Sequence, residues 1–313
     1  MNMMKKSFLP LLILIGLAAL LVVIPANLPS FGEQLPYHLV VLGDPHIPGK
    51  FLPEKIAVIR TINTWSDVAL VVAVGDICES LGTQEEYLTA RQFFMQLAKP
   101  FIPIPGNHDF IYKDIKAPGG KRIKGSPADR QNKLTRFQRT FIIQKLYHSK
   151  QVENYQLIFL ATDNLYSDRI TCISPKQLQW LQAELQRHPK NPTIIFFHAP
   201  LYGTISNSYR TAYDDNNFAQ PRKAIDEVLQ KNPQVFLWVC GHIHLPATSK
   251  DFRADINMYD NRVYTLHNSD MNRATIWTNS LFLFPDKVVI KTYNHGKGTW
   301  LPELEKTLVP PRL

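Results

Sequence analysis

The chain has 313 residues, 45% of them aliphatic or aromatic, with 35 basic against 26 acidic side chains. That composition supplies a large core and excludes a disordered chain, a collagen-like repeat and a disulfide-stapled mini-protein. Three cysteines are too few for a multi-bridge framework or a cysteine-rich zinc module.

Lys5 and Lys6 precede an uncharged apolar run, Phe8 to Ile24, that ends at Pro25. A basic pair followed by such a run reads as an export signal or N-terminal membrane anchor over residues 1–30. As a helix the run spans about 26 Å, just short of a ~30 Å hydrocarbon layer. No A-x-A cleavage site follows it. We therefore expect an uncleaved tether over residues 7–24, with a cleaved signal as the alternative. In both cases the lysines stay in the cytoplasm and the rest of the chain is exported: membrane-anchored and facing outward, or secreted or periplasmic.

From residue 36 onward, apolar runs alternate with helical patterns. His38–Leu42, Ala69–Val74, Phe101–Ile104, Tyr155–Leu160, Thr193–Phe197 and Val235–Val239 read as buried strands. Glu85–Leu97 reads as a helix, as do the stretch opened by Ser174-Pro175 and running to Arg187, and Pro221–Gln230. The alternation predicts an α/β domain with much parallel sheet. The tail differs: Arg262–Leu266, Ala274–Phe284 and Lys287–Tyr293 read as consecutive strands, the last two joined by a turn at Pro285-Asp286. They predict a second, partly antiparallel sheet closing one domain, residues 36–313.

Residues 111–140 carry nine Lys or Arg against two Asp. Ile111–Gly125 reads as a loop, because of Pro118-Gly119-Gly120. Ser126-Pro127 opens a helix behind it. The excess charge reads as a solvated loop and helix face.

Polar residues collect where the apolar runs stop. Asp44-Pro45-His46 follows the first, Gly75-Asp76 the second and Gly106-Asn107-His108-Asp109 the third. His198 follows Phe197, and Gly241-His242-Ile243-His244 follows Cys240. Ligands of parallel α/β sheets bind at the carboxyl ends of strands. A lone His or Asp there is an ordinary turn residue; five strands delivering Asp, Asn and His to one edge is what a metal site needs. Asp44, His46, Asp76, Asn107, His198, His242 and His244 form a hard, thiolate-free donor set suited to Mn, Fe, Zn or Co. Seven ligands are too many for one ion and right for two, with a carboxylate such as Asp76 able to bridge them. Cys78 and Cys240 read as small buried residues beside these motifs.

In this order the motifs resemble the calcineurin-like metallophosphoesterases, a binuclear superfamily of phosphatases and phosphodiesterases. The spacing is similar as well, 32 residues from Asp44 to Asp76 and 31 from there to Asn107. The resemblance implies an α/β fold built as a four-layer α/β/β/α sandwich with two mixed sheets. It implies two transition-metal ions, one held by Asp44, His46 and His244, the other by Asn107, His198 and His242, with Asp76 bridging. His108 matches the family histidine that assists the leaving group, and Asp109 the acidic residue that orients it. Gly75-Asp76-Ile77-Cys78-Glu79 lacks the tyrosine of the purple acid phosphatases, so no tyrosinate-iron centre is expected.

The function implied is metal-dependent hydrolysis of a phosphate ester by hydroxide attack on phosphorus, with His108 at the departing oxygen. Monoesters, cyclic nucleotides and other diesters share such a centre, so a phosphodiesterase is the alternative. A metal-free scaffold is the alternative of another class. Tyr202, Tyr209 and Arg210, after His198, are candidate substrate-binding residues. The export signal argues against a nucleic-acid partner.

Overall fold

The computed structural model describes residues 35–206 and 214–312. The expected tether and the candidates Tyr209 and Arg210 lie outside the described residues. Among the described residues no helix is long and apolar enough to cross a membrane.

The first third repeats strand and helix: β1 (Tyr37–Leu42), α1 (Leu52–Thr64), β2 (Val68–Val74), α2 (Gln84–Phe94) and β3 (Phe101–Ile104). A short α3 (Asn107–Phe110) leads to a hairpin of β4 (Tyr112–Lys116) and β5 (Arg122–Lys124), then α4 (Pro127–Phe141). Next come β6 (His148–Val152), β7 (Tyr155–Phe159), α5 (Pro175–Arg187), β8 (Thr193–Phe196), α6 (Arg222–Lys231) and β9 (Val235–Cys240). The tail adds β10 (Met258–Tyr259), β11 (Val263–His267), β12 (Trp277–Leu283), β13 (Val288–Asn294), β14 (Thr299–Trp300) and β15 (Lys306–Leu308). The helix starts follow the sequence. Thr83 and Glu86 form a capping box on α2, Ser126 and Asp129 one on α4, and the Ser174 hydroxyl accepts the Gln177 N–H on α5.

Two mixed sheets stack face to face. One runs β14-β13-β12-β1-β2-β3, with β15 beside β13; the other runs β10-β11-β9-β8-β7-β6. The period-2 alternation of the strands sorts their side chains. From β1, Leu39 and Val41 enter the core between the sheets, beside Phe159, Phe196 and Val239. Val40 and Leu42 face the opposite way, onto Ile59, Ile62, Phe93 and Phe94 of α1 and α2. In the second sheet Ile195 and Trp238 point outward onto Leu181, Leu185 and Ile225 of α5 and α6. The result is the four-layer α/β/β/α sandwich.

Two expectations need correction. The tail does not build the second sheet: β12 pairs antiparallel with β1 in the first sheet, while β11 pairs parallel with β9 in the second. Partner choice is a long-range packing outcome that strand pattern leaves open. Residues 111–125 are not all loop, because β4 and β5 pair around Pro118–Gly120. Their exposed, lysine-rich faces show no apolar alternation. Helix α1 and strand β6 are also present beyond the elements read from the sequence.

Candidate metal centre and active site

All the polar clusters meet at one edge, at the carboxyl ends of β1, β2, β3, β8 and β9. Asp44, His46, Asp76 and His244 present donor atoms within 4.8 Å of one another, and so do Asp76, His198 and His242. Asp76 belongs to both groups. Asn107 joins the second, its Oδ1 lying 3.0 Å from His198 Nε2.

The backbone is bent to achieve this. Asp44, His46, Asp76, His242 and His244 all have positive φ, between 39° and 67°. Left-handed backbone is disfavoured for residues with a Cβ and clusters at functional sites. The bends turn consecutive side chains off the strand ends into one volume. Gly241 lets the His242 N–H reach Asp44 Oδ2 at 2.8 Å; a Cβ there would overlap that carboxylate.

Backbone carbonyls orient the imidazoles. A carbonyl only accepts, so the ring nitrogen facing it carries the proton. His198 Nδ1 donates to Val74 O at 2.9 Å, His46 Nδ1 to Glu79 O at 3.2 Å and His242 Nε2 to Asn216 O at 2.9 Å. The opposite nitrogens converge: His46 Nε2 is 3.0 Å from His244 Nε2, and His242 Nδ1 is 2.9 Å from His198 Nε2. Histidine ligands of metals are held in this way, with the second nitrogen on a carbonyl or carboxylate.

The charges also call for cations. Asp44 and Asp76 are buried, and among the described residues their only ion-pair partners are histidines. Burial opposes the charge of Asp76, but His198, His108 and His46 outweigh it and hold the carboxyl well below the usual range. Burial likewise opposes a proton on His198, yet Asp76 and Asp44 raise that ring to about 9. The pocket thus draws positive charge to a carboxylate–imidazole set of the right hardness for two divalent or trivalent transition ions. The donors fit the metals the family pattern implies.

His108 stands beside this set. Its Nδ1 faces Glu79 O at 2.9 Å and its backbone N–H donates to Asp76 Oδ1 at 2.8 Å. Burial, opposed by Asp76, pushes the ring down to about 3. Asp109 does not orient this ring, which corrects the expected role. Its carboxylate accepts backbone N–H groups from Gly106 at 2.7 Å, Cys78 at 2.9 Å and Ile77 at 3.2 Å. It laces the loop after β2 to the loop after β3, and the Glu79 carbonyl holds the ring instead. Burial and the charge of Asp76 raise the Asp109 carboxyl against the pull of those three donors.

Tyr202 lies elsewhere. Its ring packs under the Arg222 guanidinium, 3.6 Å from the centroid, and against Phe218 at 5.1 Å. It takes no part in lining the pocket above His46, His108 and His244. Cys78 and Cys240 are buried free thiols, and burial raises both.

Several site residues carried no motif. Lys55 is buried and donates to His46 O at 2.7 Å, to Pro48 O and to Asn272 Oδ1, bracing the loop after β1. Arg273 donates to His244 O at 3.0 Å. Arg122 and Lys116, from the hairpin, line the pocket. Only the hairpin residues had a signal in the sequence, the surplus of positive charge.

The family model of the calcineurin-like phosphoesterases matches residues 37–246, more than half of the chain. The chain belongs to that family. It is a metallophosphoesterase, a hydrolase with an Asp/His metal-binding cluster. It is 26% identical over 281 residues to a 3′,5′-cyclic-nucleotide phosphodiesterase of Nostoc sp., covering 88% of this chain and 92% of that one. It is 25% identical over 223 residues to a "probable glycerophosphodiester phosphodiesterase" of Arcobacter nitrofigilis, covering 67% of this chain and 73% of that one. A dimetal phosphatase from Danio rerio has the same fold, with a TM-score of 0.59 at 14% identity, covering 89% of this chain and 100% of that one.

Proposed function

We propose that this metallophosphoesterase hydrolyses phosphodiesters with two transition-metal ions, Mn, Fe or Zn, on the outer side of the membrane. The observation that carries the two-ion reading is Asp76, whose carboxylate belongs to both donor groups. Asp44, His46 and His244 would hold one ion, Asn107, His198 and His242 the other. When bound, such ions polarise phosphoryl oxygens and make water nucleophilic near neutral pH. The chain's own residues supply the rest. The carbonyls of Val74, Glu79 and Asn216 fix the ring orientations, Asp109 locks two loops together, and His108 faces the volume where an ester oxygen departs. The diester preference is supported by the named activities of both relatives and comes to this chain as a proposal.

Elemental analysis of purified protein, paired with hydrolysis of bis(p-nitrophenyl) phosphate, a 3′,5′-cyclic nucleotide, a glycerophosphodiester and p-nitrophenyl phosphate, tests this reading. We expect two ions per chain and higher kcat/KM on the diesters. Active protein without stoichiometric metal, or a preference for the monoester, would overturn it. The outward location rests on the Lys5-Lys6 pair and the apolar run behind it. Protease added to spheroplasts should degrade the domain; protection until lysis would place it inside.

A further inference from the structure

A pocket of about 400 Å3 opens over the candidate centre, bordered by His46, His108 and His244 and by two cations of the hairpin, Lys116 and Arg122. Of its two carboxylates, that of Glu86 is spent on the N–H groups of Ser80, Leu81 and Thr83, and Glu79 is exposed.

The hairpin that carries Arg122 is firmly built. The Gly125 N–H closes its base on Ile111 O at 2.7 Å. Buried Arg130 donates to the carbonyls of Gly125, Leu165 and Ser167, and buried Lys133 to those of Leu81 and Gly82. Tyr112, at the start of β4, interacts with both Arg122 and Asn107, and the guanidinium lies 5.3 Å from its ring centroid. So the cationic segment is divided: Arg130 spends its charge on carbonyls underneath, Lys133 and Arg136 also pair with Asp114, and Arg122 is delivered to the pocket.

There Arg122 Nη1 lies 3.0 Å from His108 Nε2. A guanidinium has donors only, so Nε2 accepts, in agreement with the Nδ1 proton donated to Glu79 O. Among the described residues Arg122 forms no ion pair with a carboxylate. A planar fork of donors held only by neutral partners, His108 Nε2 and Tyr112, is under-used; its best partner is the two oxygens of a phosphate.

We propose that Arg122 is the residue that recognises the phosphoryl group. Resting on the phosphoesterase reading, the inference is an exchange of hydrogen bonds. The guanidinium leaves His108 Nε2 for the non-bridging oxygens of the incoming phosphodiester.

The test uses the metal-loaded full chain with Arg122→Ala, Arg122→Lys and, as a control of equal charge on the same hairpin, Lys121→Ala. KM and kcat for bis(p-nitrophenyl) phosphate are read beside inorganic phosphate affinity by calorimetry and metal content by elemental analysis. Loss of a charged hydrogen-bonding contact predicts KM and phosphate Kd raised by about 10–100-fold in Arg122→Ala. Partial recovery is expected in Arg122→Lys, with metal content unchanged and Lys121→Ala within about twofold of wild type. Unchanged KM and phosphate Kd in Arg122→Ala would overturn the proposal, and a fall in kcat alone would reduce Arg122 to a support for His108. Equal losses in Lys121→Ala would also overturn it, assigning the effect to the general field of the hairpin. If the wild type hydrolyses no ester, the phosphoesterase reading fails, and phosphate calorimetry still decides the role of Arg122.

Discussion

Asp76 Oδ1 lies 3.3 Å from His198 Nε2, while the same carboxylate also groups with Asp44, His46 and His244. One side chain at the end of β2 therefore serves both halves of the candidate centre.

Asp76→Ala should lose both ions, because it removes a donor from each group and leaves the surrounding imidazoles without their main counter-charge. Elemental analysis should show metal content well below one ion per chain, and activity should fall to background. Retention of one full equivalent would mean the two sites are independent.

His108→Ala should leave metal content near wild type. The ring is tied to the Glu79 carbonyl and to Arg122 and stands outside both donor groups. For alkyl diesters kcat should fall by about 10²–10⁴-fold, the usual worth of assistance to a leaving group. For nitrophenyl esters, which leave readily, the loss should be much smaller. Equal losses on both kinds of ester would remove the leaving-group role and leave the metal centre standing.

Asp109→Ala should act through stability. It strands the buried N–H groups of Gly106, Ile77 and Cys78, and each unsatisfied buried donor costs about 1–3 kcal/mol. The urea midpoint should drop by the equivalent of about 3 kcal/mol or more, with weaker metal binding as the two loops loosen. In the milder Asp109→Asn the ratio of aryl to alkyl kcat should match wild type. A ratio shifted like that of His108→Ala would restore an orienting role.

Acid should destabilise the fold through two buried histidines outside the candidate ligand set. Burial pushes His295 down to about 3 and His267 to about 4. Among the described residues His295 Nδ1 is buried without a partner, while Nε2 faces Thr278 Oγ1 at 2.9 Å. An unfolded histidine titrates near ~6.5, so between that pH and the folded values the unfolded chain binds more protons. Stability is full above ~6.5 and falls as pH drops, by up to ~1.4 kcal/mol per pH unit for each site. In urea titrations from pH 7 to 4.5, the stability gap between wild type and His295→Gln should narrow as pH falls. A constant gap would show that His295 is not held neutral.

What could be read from the chain alone was whatever a strand end expresses locally. Each apolar run stops at a residue that must turn, so Asp44, Asp76, Asn107, His198 and the His242–His244 pair were visible as ligands arriving at one edge. Ser126-Pro127 and Ser174-Pro175 marked their helices because caps satisfy their own neighbours' N–H groups. The tertiary structure decided everything that depends on a distant partner. It sent β11 to one sheet and β12 to the other, a choice between apolar faces that look alike in sequence. It gave Asp109 three backbone N–H groups from two loops instead of the ring beside it. It also paired the exposed, lysine-rich β4 and β5, whose strand pattern carries no buried face, and so brought Arg122 within 3.0 Å of His108. Side-chain type and spacing determine which donors a chain can offer. Which donors meet is settled by packing, because the free energy of burying a loop or a charge belongs to contacts that sequence neighbours do not make.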